Sequence, residues 1–144
     1  MGIDKTQKLY YNDSTLRIRG DEMQWTLDKT RPICRQICDI ICVAIVKGEF
    51  SPGEKLLSVR EVSLLAGVNP NTVQKSFEEL EGLGVIHSVP CSGWYVNENT
   101  ETAKRAVERQ KVKKSEEYIA AMMQLGCDPA DVTKYLDQCK EEKI

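Results

Sequence analysis

The feature that most constrains this chain is a pair of helix starts that follow each other closely. Ser58 and Glu61 have the spacing of a capping box, in which each side chain accepts a hydrogen bond from the other residue's backbone N–H. Gly67 can end the first helix, because glycine enters the left-handed conformation without steric cost. Asn69 can then cap a second helix with Pro70 at its first position. Two short helices joined by a Gly-containing turn of about three residues predict a helix-turn-helix.

An apolar helix and a hairpin flank this pair, whose helices we place near 58–66 and 70–82. Apolar residues recur at helical spacing over 30–47, where Gly48 ends the helix. Residues 85–89 and 94–97 predict two strands around a tight turn. The expected fold is mostly α with a small β-hairpin, a winged helix-turn-helix. Its predicted core residues are Ile37, Ile41, Ile45, Val62, Leu65, Val73, Phe77, Leu80, Ile86, Tyr95 and Val96.

The rest of the chain predicts a two-helix tail. Asn99 or Thr100 can cap a helix that runs to about Leu125, Gly126 ends it, and a second helix opens near Pro129. Two amphipathic helices joined by a tight turn bury little surface alone, so we expect them to pair with the tail of a second subunit. The residues predicted for this dimer interface are Val107, Ile119, Met122, Val132 and Leu136.

Composition excludes several classes of protein. The chain has 144 residues, of which 41% are hydrophobic and 29% charged, as in ordinary soluble domains. It has no apolar run long enough to cross a bilayer and no signal-peptide core, so we expect a cytoplasmic protein without a membrane partner. We predict a leader of unknown role at 1–22, a winged-helix DNA-binding domain at 23–98 and a helical dimerisation tail at 99–144.

The physical argument for DNA binding rests on the helix at 70–82. Its inner side is apolar, whereas polar side chains remain outside, near the end that enters the major groove in helix-turn-helix docking. Asn and Gln can pair with adenine, and Thr and Lys can contact bases or phosphates. Solvation alone is the competing interpretation, and a net charge of −2 means that any DNA contact depends on this local edge. The candidate contacts are Arg60, Asn71, Thr72, Gln74 and Lys75, with Ser58 and Asn69 as caps that also contact DNA.

These motifs resemble those of a known family, the GntR-type bacterial repressors, and within it the YtrA-like group. Leu56–Ser63 is similar to the family's L-P-S-x-R-E-x-A, and Gly67–Lys75 continues the match into the segment that ends at Ile86. Pro32–Ile37 is similar to the family's P-I-Y-x-Q-I. The resemblance covers about 25–97, and the YtrA-like group carries a short two-helix tail in place of a large effector domain.

The resemblance implies a homodimeric cytoplasmic regulator, often of transporter operons, that binds an operator in double-stranded DNA. It places Arg60, Asn69, Asn71, Thr72 and Gln74 at DNA-contacting positions and makes Gly93 the wing glycine. This chain departs from the family in having Leu57 for the usual proline. It also lacks the usual basic residue before the wing glycine, which argues against minor-groove reading by a basic wing.

The cysteines leave an alternative open. Cys34, Cys38 and Cys42 recur every four residues on one face of the first helix, which would suit a soft metal ion. Their spacing matches no common zinc motif, however, and cysteine is also a common buried apolar residue, so we assign no metal and no cofactor. Cys91, at the expected wing tip, is a separate candidate, because oxidation of its thiol would add charge or bulk at the DNA surface.

No enzyme signature is present in the sequence: there is no glycine-rich phosphate loop, and a single histidine leaves most acid–base schemes incomplete. We therefore predict a transcriptional regulator, a repressor that binds a pseudo-palindromic operator as a homodimer. The tail is too small to enclose a sizeable ligand, so an unknown small-molecule effector would bind at an interface. The alternatives are a winged helix that binds protein and a regulator that responds to metal or redox state through its cysteines.

Overall fold

The computed structural model describes residues 25–143, and the predicted leader at 1–22 lies outside them. The described residues form five α-helices, one short 3-10 helix at Pro129–Asp131 and one antiparallel two-stranded sheet. The helices and strands, in chain order, are α1 (Ile33–Val46), α2 (Val59–Ala66), α3 (Pro70–Gly82), β1 (Ile86–Val89), β2 (Gly93–Val96), α4 (Glu101–Gln124) and α5 (Val132–Lys143). This order confirms the predicted winged helix-turn-helix followed by two further helices.

The predicted capping box at the start of α2 is present. The Ser58 backbone N–H donates to Glu61 Oε1 at 2.8 Å, and the Glu61 N–H donates to Ser58 Oγ at 3.0 Å. Gly67 ends the helix in the left-handed conformation, with φ 68°. Ser63, which is buried, holds the turn, because its hydroxyl donates to Val68 O at 2.6 Å and its carbonyl accepts from the Gly67 N–H. Ser63 therefore fixes the turn between α2 and α3 from the α2 end.

The winged-helix core is formed where α1, α2, α3 and the hairpin meet. Phe77 is fully buried and meets Trp94 edge to face, with the ring centroids 5.4 Å apart. Ser76, also buried, faces α1, since its Oγ lies 3.2 Å from Cys34 O. The predicted core residues that are buried are Ile37, Ile41, Ile45, Val62, Val73, Phe77, Leu80, Ile86 and Val96.

Two core predictions need correction. Leu65 is 38% exposed, because the buried face of α2 is formed by Val62 and Ser63 with Val59, and Leu65 projects about 110° away from it. Tyr95 is only half-buried. The sequence pattern also missed Phe50 and Leu56, both of which are buried although they lie in irregular segments without periodicity.

The hairpin pairs in a single register, with Ile86 opposite Val96 and Val89 opposite Gly93. The observed strands agree with the predicted ones to within a residue. The segment before α2 also pairs with β2: Leu56 N donates to Trp94 O at 2.8 Å, and Val96 N donates to Glu54 O at 2.9 Å. The wing is thus joined by backbone hydrogen bonds to the segment that leads into the helix-turn-helix.

The tail helices begin and end close to the predicted positions. Asn99 caps α4, since its Oδ1 accepts from the Glu101 N–H at 2.9 Å, and Gly126 follows the helix with φ 87°. The described residues form two compact units, one through Val107 and one from Glu108 onward. Ala103 and Val107, in the first part of α4, are buried with the winged-helix core.

In the second unit, Val132 is buried and its carbonyl accepts a hydrogen bond from Tyr118 Oη at 3.3 Å. Met123 and Leu136 remain largely exposed. Over residues 25–143, no helix combines the length and the apolar character that a membrane span requires.

Candidate nucleic-acid interface

The two sides of α3 differ sharply in exposure. Val73, Phe77 and Leu80 each have no exposed surface. On the other side Asn71 and Lys75 are exposed, and Thr72 and Gln74 are half-buried. The helix is therefore anchored by one apolar side and presents its polar edge at the surface of the winged-helix unit, as the sequence pattern predicts.

Asn69 holds the N-terminus of α3 in place. Its Oδ1 accepts a hydrogen bond from the Asn71 N–H at 2.7 Å, and its carbonyl accepts from the Thr72 N–H at 3.0 Å. Ser58 acts in the same way on α2, through the capping box described above. Both residues are exposed, and both have a structural role that is independent of DNA.

Gln74 is already engaged by a neighbour on the same helix. Its Nε2 donates to Glu78 Oε2 at 3.0 Å, one turn further along α3. Glu78 is exposed, so its carboxylate adds negative charge to the edge that carries Lys75. The sequence places Glu78 on the outer side of the helix but does not reveal this hydrogen bond. Side chains at i and i+4 can meet, but each has other rotamers in which no hydrogen bond forms.

Two basic residues outside α3 lie in or just before α2, the first helix of the helix-turn-helix. Arg60 is exposed in the first turn of α2. Lys55, which no sequence motif indicates, is exposed just before α2, and its backbone pairs antiparallel with that of Tyr95 in the hairpin. Lys55 lies in an irregular segment, so only its positive charge and its nearness to the motif could have indicated it.

The wing turn has a tight backbone. Gly93 adopts φ 138°, and a side chain there would come within 3.0 Å of Lys55 Cε, so the position requires glycine for structural reasons. Cys91, exposed at the tip, adopts the left-handed conformation with φ 62°. The strands and turn from Ile86 to Val96 contain no lysine or arginine. The wing itself therefore brings no positive charge to a phosphate backbone.

Comparison with known proteins assigns this arrangement to a family. A family model described as "Bacterial regulatory proteins, gntR family" matches residues 34–96. The chain is 34% identical over 97 residues to YhcF, an uncharacterised HTH-type transcriptional regulator of Bacillus subtilis. The aligned region covers 67% of this chain and 80% of that protein. The chain belongs to the GntR family. It is thus a DNA-binding transcriptional regulator and not an enzyme.

Two further comparisons place this GntR protein more closely. It is 42% identical over 71 residues to the HTH-type transcriptional repressor YtrA of Bacillus subtilis, over 49% of this chain and 55% of that protein. A GntR family transcriptional regulator from Listeria monocytogenes matches the structure with a TM-score of 0.66 at 31% identity, over 78% of this chain and 98% of that one. The chain is therefore a GntR regulator of the YtrA-like type, as its motifs indicate.

The residues predicted for the dimer interface of this GntR protein divide into two groups. Val107 and Val132 are buried within the chain itself, which accounts for their apolar character without a second subunit. Ile119 and Met122 are half-buried, and Leu136 is 43% exposed.

The regular spacing of Cys34, Cys38 and Cys42 on α1 suggests a single cluster of three thiols, but only the first two lie together with another possible metal ligand. Cys34 and Cys38 face α3, where Glu79 joins them, and the ligand atoms of all three lie within 4.8 Å of one another. Cys34 Sγ is 3.7 Å from Glu79 Oε1, and Cys38 Sγ is 3.5 Å from the Ser76 carbonyl oxygen. Burial, together with the negative charge of Glu79, raises the pKa of the Cys38 thiol. Cys42 is buried and lies outside this group.

Proposed function

We propose that this GntR protein is a homodimeric repressor that inserts α3 of each subunit into the major groove of a pseudo-palindromic operator. The observation that carries the proposal is the division of α3 into a fully buried side, with Val73, Phe77 and Leu80, and a polar edge at the surface. Because the α3 backbone is already anchored in the core, only its side chains have to be ordered when they reach base edges.

The residues of that edge have distinct chemical roles. Asn71 and Gln74 suit bidentate pairing with adenine, and Thr72 suits a thymine methyl group or a phosphate. Lys75, Arg60 and Lys55 suit phosphates, and their positive charges are needed because the whole chain carries a net charge of −2. Ser58 and Asn69 add exposed caps at two helix N-termini, where backbone N–H groups attract phosphate.

A second subunit is proposed from the residues that follow the winged helix. Ile119, Met122 and Leu136 keep apolar surface accessible in the unit from Glu108 onward, as do Val112 and Leu125. A two-fold pairing of such surfaces would present two α3 helices to half-sites about 34–36 Å apart, or a multiple of that distance. Val132, which is buried in the same unit, would support this surface from within each subunit, whereas Val107 is buried with the winged-helix core.

Repression, as opposed to activation, is proposed from the relative YtrA, whose name describes it as a repressor. The target would be an operon of the transporter type, and a small-molecule effector would bind between subunits, because a two-helix tail is too small to enclose a sizeable ligand by itself. Action on chromosomal DNA implies a cytoplasmic location.

The test is selection of bound sequences from a random DNA pool, followed by titration of the selected duplex with the full-length protein and its variants. Thr72→Ala and Lys75→Ala should weaken binding, whereas Thr133→Ala and Lys140→Ala, the same changes at exposed positions of α5, should leave it unchanged. Failure to enrich any sequence, with a correctly folded protein, would favour the interpretation of the winged helix as a protein-binding module.

A further inference from the structure

A cluster of soft and anionic ligand atoms lies between α1 and α3, on a part of the helix pair that the DNA-binding proposal does not use. Cys34 and Cys38 come from α1 and Glu79 comes from α3, with one ligand atom of each within 4.8 Å of the other two. We propose that these three residues bind a thiophilic divalent metal ion, of which Zn²⁺ is the physiological representative, and that the ion joins α1 to α3.

The distances are close to those that a tetrahedral ion requires. With Zn–S near 2.3 Å and Zn–O near 2.1 Å, a sulfur and an oxygen ligand lie about 3.6 Å apart and two sulfur ligands about 3.8 Å apart. Cys34 Sγ and Glu79 Oε1 are already separated by 3.7 Å. The remaining separations, at most 4.8 Å, exceed the tetrahedral values by about 1.2 Å or less.

The chemistry of the donors selects the class of metal. Two cysteine thiolates and one carboxylate suit a borderline or soft ion, whereas Mg²⁺ and Ca²⁺ prefer an all-oxygen shell. Two thiolates and a carboxylate exceed the charge of a divalent ion by one. Arg35, whose guanidinium nitrogen lies 3.7 Å from Glu79 Oε2, supplies the compensating positive charge at the rim of the site.

Burial makes the site accessible on one side only. Cys38 is buried, while Cys34 and Glu79 are half-buried, so an ion can enter past Cys34 and Glu79. A water molecule from that side would complete the four-coordinate shell. Metal-free protein keeps both thiols occupied by weak contacts, Cys34 with the Glu79 carboxylate and Cys38 with the Ser76 carbonyl. Binding therefore exchanges two thiol protons for one ion.

The ion would connect two elements that already touch. Ser76 Oγ lies 3.2 Å from Cys34 O, which places the α1–α3 contact directly beside the site. A ligand that binds only the folded form stabilises it by mass action, so metal should raise the stability of the winged-helix unit. This inference does not depend on DNA binding and is tested without DNA.

The experiment uses the full-length, reduced, chelator-treated protein, titrated with Co²⁺ and then with Zn²⁺. We expect one Co²⁺ per chain, with the charge-transfer absorption of cobalt–thiolate bonds, and its loss as Zn²⁺ displaces the cobalt. Cys34→Ser and Glu79→Gln should each weaken Zn²⁺ binding at least about tenfold, since changes to groups that only support ligands already cost 10- to 100-fold. Cys34→Ser should also reduce the charge-transfer band.

Matched controls change similar residues outside the cluster. Cys91→Ser and Cys127→Ser remove other accessible thiols, and Glu78→Gln neutralises the exposed carboxylate next to Glu79. These three variants should bind as the unchanged protein does. Binding that survives both Cys34→Ser and Glu79→Gln, or that is lost in a control variant, would overturn the proposal. So would the absence of Co²⁺ binding at a protein concentration suited to micromolar affinity. Glu79→Gln removes only a charge. If Cys34→Ser does not fold, Zn²⁺ binding by Glu79→Gln still tests the proposal.

Discussion

The side-chain amide of Gln74 donates a hydrogen bond to the carboxylate of Glu78, with Nε2 and Oε2 3.0 Å apart on the same edge of α3. The edge that we propose to read DNA thus contains an internal hydrogen bond and a negative charge. We expect Glu78→Gln to strengthen operator binding by about 1 kcal/mol, roughly fivefold, at low salt, because a carboxylate beside phosphates is repelled by an energy of that order. Fluorescence anisotropy with labelled duplex measures the change.

The control for this prediction is Glu141→Gln, which removes an exposed carboxylate from α5. A gain confined to Glu78→Gln, and reduced at high salt, supports a groove contact by this edge. Weaker binding by Glu78→Gln would show that the carboxylate itself contacts a base, for example a cytosine amino group.

Lys75 and Asn71 should be distinguishable by how their loss affects DNA binding. If Lys75 contacts phosphate, Lys75→Ala should weaken binding to all sequences about equally and reduce the salt slope by about one. If Asn71 pairs with a base, Asn71→Ala should cost about 1–3 kcal/mol and relax the preference at one position of the operator. The measurement is affinity for the selected duplex and for single-base variants at several salt concentrations.

The two variants serve as controls for each other, since each should show what the other lacks. Asn71 also lies in the first turn of α3, where its backbone N–H is bound to Asn69. Circular dichroism of Asn71→Ala therefore accompanies the titration. An unchanged sequence preference in Asn71→Ala would assign Asn71 to the solvated face.

Leu56 and Leu65 provide a matched test of the core. Leu56 is 3% exposed and Leu65 is 38% exposed, although only Leu65 follows the helical pattern. Leu56→Ala should lower the free energy of unfolding by about 2–5 kcal/mol, as for other buried leucines. Leu65→Ala should lower it by less than about 1 kcal/mol. Urea denaturation followed by circular dichroism measures both, and equal losses would contradict the observed packing.

These two leucines also show what sequence reasoning can and cannot reach. The elements of the winged helix are predictable because capping residues, glycines and apolar spacing act locally along the chain. Leu65 was misassigned because α2 is only two turns long, so its buried face is set by the direction in which it docks. Phe50 and Leu56 were missed because irregular segments have no period that would indicate burial.

The candidate site follows the same division. The capped N-terminus of α3 and its polar edge were predicted, since both are properties of one helix. The hydrogen bond of Gln74 to Glu78 depends on rotamers, and the position of Lys55 beside the wing depends on pairing between distant segments. Glu79 completes the cysteine cluster from another helix, 41 residues or more from either thiol in sequence, so no local spacing could indicate it.

Leu136 tests the proposed dimer. It is 43% exposed on α5, and a charge placed in an apolar interface is costly because it loses its hydration. Leu136→Glu should convert the dimer to a monomer in sedimentation experiments and should weaken binding to a two-half-site operator more than to a single half-site. Gln138→Glu places the same charge at an exposed position on the opposite side of the same helix and should leave the dimer intact. A protein that is already monomeric at micromolar concentration would refute the proposed assembly.

Zinc should stabilise the protein through the link between α1 and α3. At a free concentration about 100 times the dissociation constant, a ligand specific for the folded state adds about 2.7 kcal/mol. For a winged-helix unit of this size that gain raises the melting temperature by roughly 10–20 °C. Glu79→Gln and Cys34→Ser, which should weaken binding at least about tenfold, should lose at least about half of this increase, and Cys127→Ser should retain it. Because Glu79 belongs to the same helix as Asn71 and Gln74, calorimetry of the zinc-bound protein with and without operator also measures whether the two sites are coupled. An increase that persists in Glu79→Gln would mean that zinc acts elsewhere on the chain.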